Sequence, residues 1–374
     1  MNILLIRLRL VGDVVFTTPA VGALRRRYPE ARISYLVEQA AAPIVLGNPH
    51  LDDVIVVPHA RGWRRILDDG RLARSLRARR FDLVIDFHGG PRSSWLSWAT
   101  GARQRIGYTI AGRSWLYTHR VPRARELRPR HSVENQWDLL AAIGAAPPSP
   151  DTDPVEMLES ADAVSRVDAR LREAGVPPGA ALIVLHVSAG NPFRRWPADS
   201  FSRLAAALVT ASPARVVVLT AGPSDLTAAA TVAAAARARL ADADGSRILL
   251  GDDLDLAGLR ALVARAALYI GGDSGPLHLA STSHIPIVGI YGPTLPARSA
   301  PWRPAHLVHE AVEGGPLPCR PCDQRRCAPG DFRCLSGITP EAVLAAAERA
   351  LRRGRDAREP RATFPSALAS AAVH

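Results

Sequence analysis

Short runs of β-branched and aliphatic residues alternate with longer amphipathic stretches along most of the chain. This alternation is typical of βαβ units, in which helices connect parallel strands and cover both faces of the sheet. The sequence therefore predicts an α/β fold. The predicted strands span residues 2–6, 32–37, 54–57, 83–87, 182–187, 215–220, 247–250, 267–270 and 286–290.

A proline-rich segment at residues 145–150, with the sequence AAPPSP, is the clearest interruption of this pattern. A chain of 374 residues is long enough for two domains of ordinary size. We therefore predict one domain at residues 1–150, a second at 151–352 and a disordered tail at 353–374, where the periodicity stops. Ligands of open parallel sheets bind outside the carboxyl ends of the strands, which predicts a functional cleft between the domains.

The charge is unevenly distributed. All 47 basic residues are arginine, so chemistry that depends on a lysine amine, such as Schiff-base formation, is excluded. Residues 1–150 contain 23 arginines and 12 acidic residues, whereas the rest of the chain contains 24 arginines and 23 acidic residues. The first half is thus predicted to meet a polyanion, such as a nucleic acid, an anionic membrane face or a phosphorylated substrate. The alternative is a solvated basic surface without a partner.

No segment predicts secretion or membrane insertion. The apolar opening at residues 3–6 is broken by Arg7 and Arg9, unlike the core of a signal peptide. No stretch approaches the roughly 18 apolar residues that a membrane span requires. We expect a cytoplasmic protein, and the basic first half also fits peripheral contact with the cytoplasmic face of the inner membrane.

Gly12 and Asp13 follow the first predicted strand and precede a helix that Pro19 is predicted to open. A carboxylate at this edge of the sheet, near a helix N-terminus that keeps it ionised, is able to accept a proton from a hydroxyl group. Asp13 is therefore a candidate general base. The alternative is an aspartate that only caps the helix.

The segment GGDSGPLHLA at residues 271–280 lies where a predicted strand turns into a helix. Glycines at such a turn let the backbone approach a ligand, and N–H groups at the helix start face an anion. We interpret the segment as a diphosphate site in which Asp273 and Ser274 contact a ribose or phosphate, with His278 one turn further along. The alternative is a tight structural turn with a buried histidine.

Two further loops follow predicted strands at the same edge, at residues 188–197 and 221–225. Arg194 or Arg195 in the first loop has the fork geometry that binds a pyrophosphate and stabilises it as a leaving group.

These segments together resemble glycosyltransferase family 9, the ADP-heptose:lipopolysaccharide heptosyltransferases, from Met1 to about Leu351. The resemblance implies the GT-B architecture, with two Rossmann-like domains facing each other across a cleft. It places the nucleotide-sugar on the second domain and the acceptor on the first. We expect a single displacement with inversion, and no catalytic metal because helix dipoles and arginine neutralise the leaving diphosphate. The segments that carry the resemblance are 3–19, with the pattern G-D-x-x-x-x-T-P, 194–197, 272–280 and 288–294.

The resemblance also assigns roles to single residues. Asp13 becomes the base that deprotonates the acceptor hydroxyl. The donor-binding residues become Ser188, Gly222, Asp273, Ser274, Gly275 and His278. Arg194 stands where family members usually have lysine, which keeps the charge but changes reach and geometry.

The basic first half then has a chemical partner, because the inner core of lipopolysaccharide carries carboxylates and phosphates. Arg61, Arg64 and Arg65 resemble the basic cluster that contacts this acceptor in relatives. The arginines further along the same predicted helix are interpreted as a solvated face.

All four cysteines lie within sixteen residues, at Cys319, Cys322, Cys327 and Cys334. Four thiolates so close together are able to surround one tetrahedral ion, so a structural iron or zinc site is one prediction, and free thiols or disulfides are the other. A related cluster is present in many members of the family.

Two other functions remain open from the sequence. The first is a family 9 transferase that uses another nucleotide-sugar or an acceptor other than lipopolysaccharide. The second is a nucleic-acid-binding α/β protein, which is disfavoured because no basic patch is interleaved with aromatic residues.

Overall fold

The computed structural model describes residues 1–57, 62–123, 130–251, 253–322 and 324–356, except for the side chains of residues 63 and 64. Within them, the chain forms two six-stranded sheets, in which every strand pairs in parallel with its neighbours. The first sheet has the order β3-β2-β1-β4-β5-β6. Its strands are β1 (Asn2–Ile6), β2 (Arg32–Glu38), β3 (Asp53–Val57), β4 (Leu83–Asp86), β5 (Gln104–Tyr108) and β6 (His119–Val121).

The second sheet repeats this order. Its strands run β9-β8-β7-β10-β11-β12, so the first strand of each half lies in the middle and the chain then switches direction across the sheet. This is the strand order of the Rossmann fold, and the predicted fold class is confirmed. The strands are β7 (Ala181–His186), β8 (Arg215–Thr220), β9 (Ile248–Gly251), β10 (Leu268–Gly272), β11 (Ile287–Tyr291) and β12 (His309–Glu313).

Helices cover both faces of each sheet. In the first half they are α1 (Val11–Val15), α2 (Thr18–Arg27), α3 (Gly62–Ala78), α4 (Pro91–Ala99) and α5 (Ser132–Ala141). In the second half they are α6 (Ala161–Glu173), α7 (Ala198–Thr210), α8 (Leu226–Arg237), α9 (Asp242–Gly245), α10 (Leu256–Arg265), α11 (Gly275–Ala280), α12 (Pro296–Ser299), α13 (Arg333–Ser336) and α14 (Pro340–Asp356). Among the described residues, no helix is both long enough and apolar enough to cross a bilayer.

The central strands are buried because alternate residues pack on opposite faces. In β1, Ile3 and Leu5 belong to one hydrophobic cluster, and Leu4 and Ile6 belong to another. Such fully apolar strands are typical of parallel sheets covered by helices on both sides. The polar residues that follow these buried strands therefore lie at the carboxyl edge of the sheet.

The two halves are in direct contact. The His131 and Trp302 rings lie 4.8 Å apart, and Trp302 Nε1 donates a hydrogen bond of 2.8 Å to the carbonyl of Asp153. Residues 142–160, which include the predicted link, connect α5 with α6. In this segment the amide of Glu156 donates to Thr18 Oγ1 at 2.9 Å, so it is fixed to the first half.

Candidate active site

A cleft of about 870 Å³ lies between the two halves and is lined by residues of both. The first half contributes the loop after β1 and residues around the start of α5, including Asp13, Arg130 and Asn135. The second half contributes loops after β7, β10 and β11, including Arg194 and Asp273. The cleft therefore lies at the carboxyl ends of strands in both sheets, where the fold predicts a ligand site.

Asp13 lies on the first turn of α1, a short helix that begins directly after β1. The predicted helix that contains Pro19 follows as a separate element, α2. The Asp13 side chain is 32% exposed, lines the cleft and forms an ion pair with Arg7. The structure thus presents this carboxylate to the cleft.

Asp273 is the most buried carboxylate on the cleft wall, at 2% exposure. It accepts a hydrogen bond of 2.5 Å from Thr294 Oγ1, and its oxygens lie 3.3 Å from Arg194 Nη1 and 3.5 Å from His278 Nε2. Burial by itself raises the pKa of Asp273, but the neighbouring His278 and Arg194 side chains and the Thr294 hydroxyl together hold the pKa below its usual value. Asp273 is therefore ionised and orients the groups around it.

Ser274 lies in the turn between β10 and α11, and Gly275 is the first residue of that helix. Ser274 Oγ donates to the carbonyl of Gly272 at 3.2 Å, which fixes its side chain, and both residues line the cleft. A Cβ atom on Gly275 would lie 3.1 Å from Cβ of Val11, in the opposite half. The glycine thus allows this turn to pack closely against the loop that carries Asp13.

His278 makes the second contact between these loops. Its ring lies 4.3 Å, centroid to centroid, from the ring of Phe16, and its edge faces Gly12, where there is no room for a Cβ atom. The candidate base and the predicted diphosphate site therefore adjoin across the cleft.

Arg194 belongs to a short 3-10 helix after β7. Its Nε donates to Gln324 Oε1 at 2.7 Å, and its Nη1 donates to the carbonyl of Asp273 at 3.1 Å. Gln324 also accepts a hydrogen bond of 2.9 Å from Asn191 Nδ2. Arg194 is thus held at the same cleft wall as the predicted diphosphate site, and its side chain is still 29% exposed.

Ser188 and Gly222 do not belong to the cleft lining. Ser188 is 7% exposed, and its Oγ lies 3.1 Å from His186 Nε2 and accepts a hydrogen bond of 2.8 Å from the Gly222 amide. His186 Nδ1 in turn lies 3.0 Å from Thr220 Oγ1. In this structure the two residues hold the loops after β7 and β8 together.

The predicted acceptor cluster is only partly covered by the structure. Arg61 and the side chain of Arg64 lie outside the described residues. Arg65 is exposed on α3, where its Nε lies 3.8 Å from Asp69 Oδ2, and it is not part of the cleft wall.

The sequence did not point to Arg130 and Arg298, which line the cleft from opposite halves. Arg130 forms an ion pair with Asp138 and donates to Asn135 Oδ1 at 3.0 Å. Arg298 has a buried Nε with no hydrogen-bond partner among the described residues. Its only sequence signal is its place four residues after Thr294, and it lies on the short helix α12 beyond β11.

The four cysteines do not form the predicted iron or zinc site in this structure. Within the part of the chain that the structure describes, no group of three or more His, Cys, Asp or Glu side chains is arranged to hold a metal ion, and the cysteines are free thiols. Cys334 is buried on α13 in the hydrophobic core of the second half, whereas Cys322 lies on the cleft wall, with its amide bonded to the carbonyl of Pro293. Burial raises the pKa of the Cys334 thiol, which keeps it protonated.

The chain is similar to known glycosyltransferases over most of its length. Lipopolysaccharide heptosyltransferase 3 of Escherichia coli K12 is 28% identical over 354 residues, which cover 92% of this chain and 96% of the relative. The solved glycosyl transferase family 9 structure from Veillonella parvula has a TM-score of 0.80 at 24% identity and covers 94% of this chain and 97% of its own. The structure of the E. coli ADP-heptose lipopolysaccharide heptosyltransferase II has a TM-score of 0.76 at 21% identity, and the match covers 95% of this chain and 100% of the E. coli chain.

These two structural neighbours share the fold of two Rossmann-like domains facing across a cleft, so the architecture is GT-B. The model of glycosyltransferase family 9 (heptosyltransferase) matches residues 70–330, well over half of the chain. The chain therefore belongs to glycosyltransferase family 9 and is a glycosyltransferase.

Proposed function

We propose that this enzyme transfers a heptose from ADP-heptose to the inner core of lipopolysaccharide, with inversion at the anomeric carbon. The observation that carries the proposal is the meeting of two loops at one cleft: Asp13 from the first half and the turn at Asp273 from the second. A base on one side and an anion site on the other are the two parts that such a transfer needs.

The proposed reaction is a single displacement. The acceptor hydroxyl oxygen attacks the anomeric carbon while Asp13 takes its proton. The bond from the anomeric carbon to the diphosphate oxygen breaks, and its electron pair leaves with ADP. Because the oxygen attacks opposite the leaving group, the configuration at that carbon inverts.

The charge that develops on ADP is offset by groups on the second half. Arg194 lies at the turn formed by Ser274 and Gly275, whose backbone N–H groups begin α11. Arg298 adds a second guanidinium to the same cleft. Fixed positive groups of this kind stabilise a leaving diphosphate without reorganising during the reaction.

The choice of donor and acceptor is supported by relatives and by charge. The similar E. coli proteins are named for ADP-heptose and lipopolysaccharide. The net positive first half of this chain, with 23 arginines against 12 acidic residues, suits an acceptor that carries phosphates and carboxylates.

The test is a donor panel of ADP-heptose, ADP-glucose, UDP-glucose and GDP-mannose, each with heptose-deficient lipopolysaccharide core, read by nucleotide release and mass of the product. We expect release and a heptose-sized mass gain with ADP-heptose alone. Turnover of another donor instead would identify a different family 9 transferase. Tight, salt-sensitive binding to a DNA duplex without nucleotide-sugar turnover would favour the nucleic-acid alternative.

A further inference from the structure

Three tryptophan side chains of the first half are exposed. Trp95 and Trp98 on α4 are 38% and 47% exposed, and Trp115, on the 3-10 helix Ser114–Leu116, is 63% exposed. The rings of Trp98 and Trp115 meet edge to face at 6.3 Å. We call these three side chains the tryptophan patch.

Internal packing does not require the patch. The opposite side of α4 is buried and includes Leu96 in the core of the sheet, whereas Trp95 and Trp98, three residues apart, share the outer face. The Trp115 indole donates only to the carbonyl of Gly112, at 3.2 Å, within its own turn. Large aromatic side chains left exposed together mark an interaction surface.

The apolar surface continues on the neighbouring helix. Ile66 and Leu67 on α3 are 73% and 49% exposed. Asp69, less than one turn further along, accepts hydrogen bonds of 3.0 and 3.2 Å from Nε of Arg92 at the start of α4. The helices α3 and α4 are therefore neighbours, and each carries exposed apolar side chains.

The segment that carries these side chains has a surplus of positive charge. Residues 62–123 contain 13 arginines and four acidic residues, all of them aspartate. The exposed arginines in this segment are Arg65, Arg71, Arg74, Arg77, Arg79, Arg80, Arg103 and Arg120. The sequence predicted no basic patch interleaved with aromatic residues, but the fold exposes three tryptophans together within this arginine-rich segment. Tryptophan beside a surplus of arginine is the composition of surfaces that bind anionic membranes, where the indole sits at the headgroup level and the guanidinium meets lipid phosphate.

The patch is rigidly connected to the first sheet. Asp86, at the end of β4, accepts a hydrogen bond of 2.6 Å from the Tyr117 hydroxyl, which lies 2.7 Å from Ser94 Oγ on α4. The same carboxylate accepts from the amides of His88 and Gly89 at 2.9 and 3.0 Å. Both elements that carry the tryptophans are thus fixed to one buried centre beside a loop at the carboxyl edge of the sheet.

We propose that the tryptophan patch is a docking surface for an anionic phospholipid bilayer. The preference for a bilayer over a protein partner rests partly on the proposed function, since lipopolysaccharide is a membrane lipid. Charge complementarity supports it independently, because anionic headgroups match the arginine-rich segment.

The test is flotation of the full chain with vesicles of equal parts phosphatidylglycerol and phosphatidylcholine, compared with vesicles of phosphatidylcholine alone. We expect binding to the anionic vesicles that weakens with salt. The double variant Trp98→Ser, Trp115→Ser should lower vesicle affinity about tenfold or more through the loss of two interfacial indoles. Trp115→Ser alone, at the most exposed of the three positions, should give a smaller loss in the same direction.

The matched control is Leu158→Ser, which removes a side chain that is 56% exposed outside the patch and should leave vesicle affinity unchanged. Equal affinity of the double variant and the wild type for the anionic vesicles would overturn the proposal. The proposal would also be overturned if the double variant lost self-association, measured by sedimentation, and kept its vesicle binding. ADP binding in solution, measured on the same variants, reports on the proposed function separately and should not change.

Discussion

Arg7 and Asp13 form an ion pair across the turn that ends the first strand. The Arg7 side chain is only 11% exposed, and its Nη1 donates a hydrogen bond of 2.6 Å to the carbonyl of Phe87 at the end of the neighbouring strand. The guanidinium is therefore fixed to the sheet, and it in turn fixes the Asp13 carboxylate at the cleft wall.

Replacing Asp13 by asparagine tests its role as the base. The asparagine amide keeps the shape and a hydrogen-bond acceptor for Arg7 but cannot take the acceptor's proton. We expect Asp13→Asn to lower kcat by about 100- to 10,000-fold, the usual contribution of general-base catalysis, with ADP affinity unchanged. Single-turnover transfer and calorimetric titration with ADP measure the two effects.

The matched control is Asp68→Asn, which removes an aspartate paired with Arg71 at 3.1 Å on the outer part of α3. It should leave kcat within a factor of about two of the wild type, since exposed pairs of this kind contribute about 1 kcal/mol or less to stability. Wild-type turnover in Asp13→Asn would rule out the proposed base.

Arg194→Lys tests whether the fork geometry of arginine matters at the diphosphate site. A lysine ammonium is a single point charge and cannot reach both Gln324 and the carbonyl of Asp273 in the way that Arg194 does. We expect kcat/KM to fall about tenfold for lysine and about 100-fold or more for Arg194→Ala, as when one charge-stabilising donor is lost.

The neighbouring Arg195 provides the comparison for this prediction. Its Nη2 lies 3.0 Å from Asp225 Oδ1 and its Nε donates to the carbonyl of Ala189, away from Asp273. Arg195→Lys should therefore change kcat/KM by less than Arg194→Lys does. The reverse order of effects would show that the diphosphate had been assigned to the wrong arginine.

The strands with continuous apolar character were predictable from the sequence, and the short or polar strands were not. All nine predicted strands are present within one or two residues. The missed ones are β5, β6 and β12. Their sequences, QRIGY, HRV and HEAVE, are short or polar, whereas the edge strands β3 and β9 keep the apolar runs DVIVV and ILLG and were predicted.

The site was predictable only where a residue follows a central strand. Asp13 and Asp273, which both line the cleft, were expected there because the carboxyl ends of parallel strands meet at one edge of a sheet. Gln324 and Arg298 reach the cleft from segments that no periodicity marks, so their positions depend on the tertiary fold. The cysteine spacing suggested a metal or free thiols, and among the described residues no three His, Cys, Asp or Glu side chains are arranged to hold a metal ion.

Gly12→Ala tests the close contact between the two halves. A Cβ atom at this position would overlap the His278 imidazole, which is itself packed against Phe16 and near Asp273. We expect the overlap to lower the free energy of unfolding by about 1–3 kcal/mol and to reduce kcat/KM by separating the two loops.

Gly70→Ala is the control for that variant. Gly70 lies within α3, and nothing stands within 4 Å of the position that its Cβ atom would take. Alanine there should raise the free energy of unfolding by about 0.5–1 kcal/mol, since glycine is unfavourable inside a helix. Urea unfolding measures both effects. If the cleft contact is as tight as the structure has it, the free energy of unfolding falls in Gly12→Ala and rises in Gly70→Ala.

His131 makes the contact between the halves sensitive to pH. Its Nδ1 accepts a hydrogen bond from the Val133 amide at 3.1 Å, and its Nε2 donates to the carbonyl of Ala300 at 2.9 Å, so both ring nitrogens are satisfied in the neutral form. Burial lowers the pKa of His131 to about 4, against 6.5 for an unperturbed histidine, despite the opposing hydrogen bond to Ala300.

Between pH 6.5 and 4 the unfolded chain therefore binds a proton at His131 that the folded chain does not, and the free energy of unfolding falls as the pH falls. This single group accounts for a loss of up to about 3 kcal/mol across that window. His131→Asn keeps an acceptor for the Val133 amide but does not titrate, so urea unfolding from about pH 7 to pH 4 should show a smaller loss in this variant than in the wild type. His119→Asn, at an exposed position, should follow the wild-type curve, and a His131→Asn curve parallel to the wild type would show that the imidazole titrates normally in the folded protein.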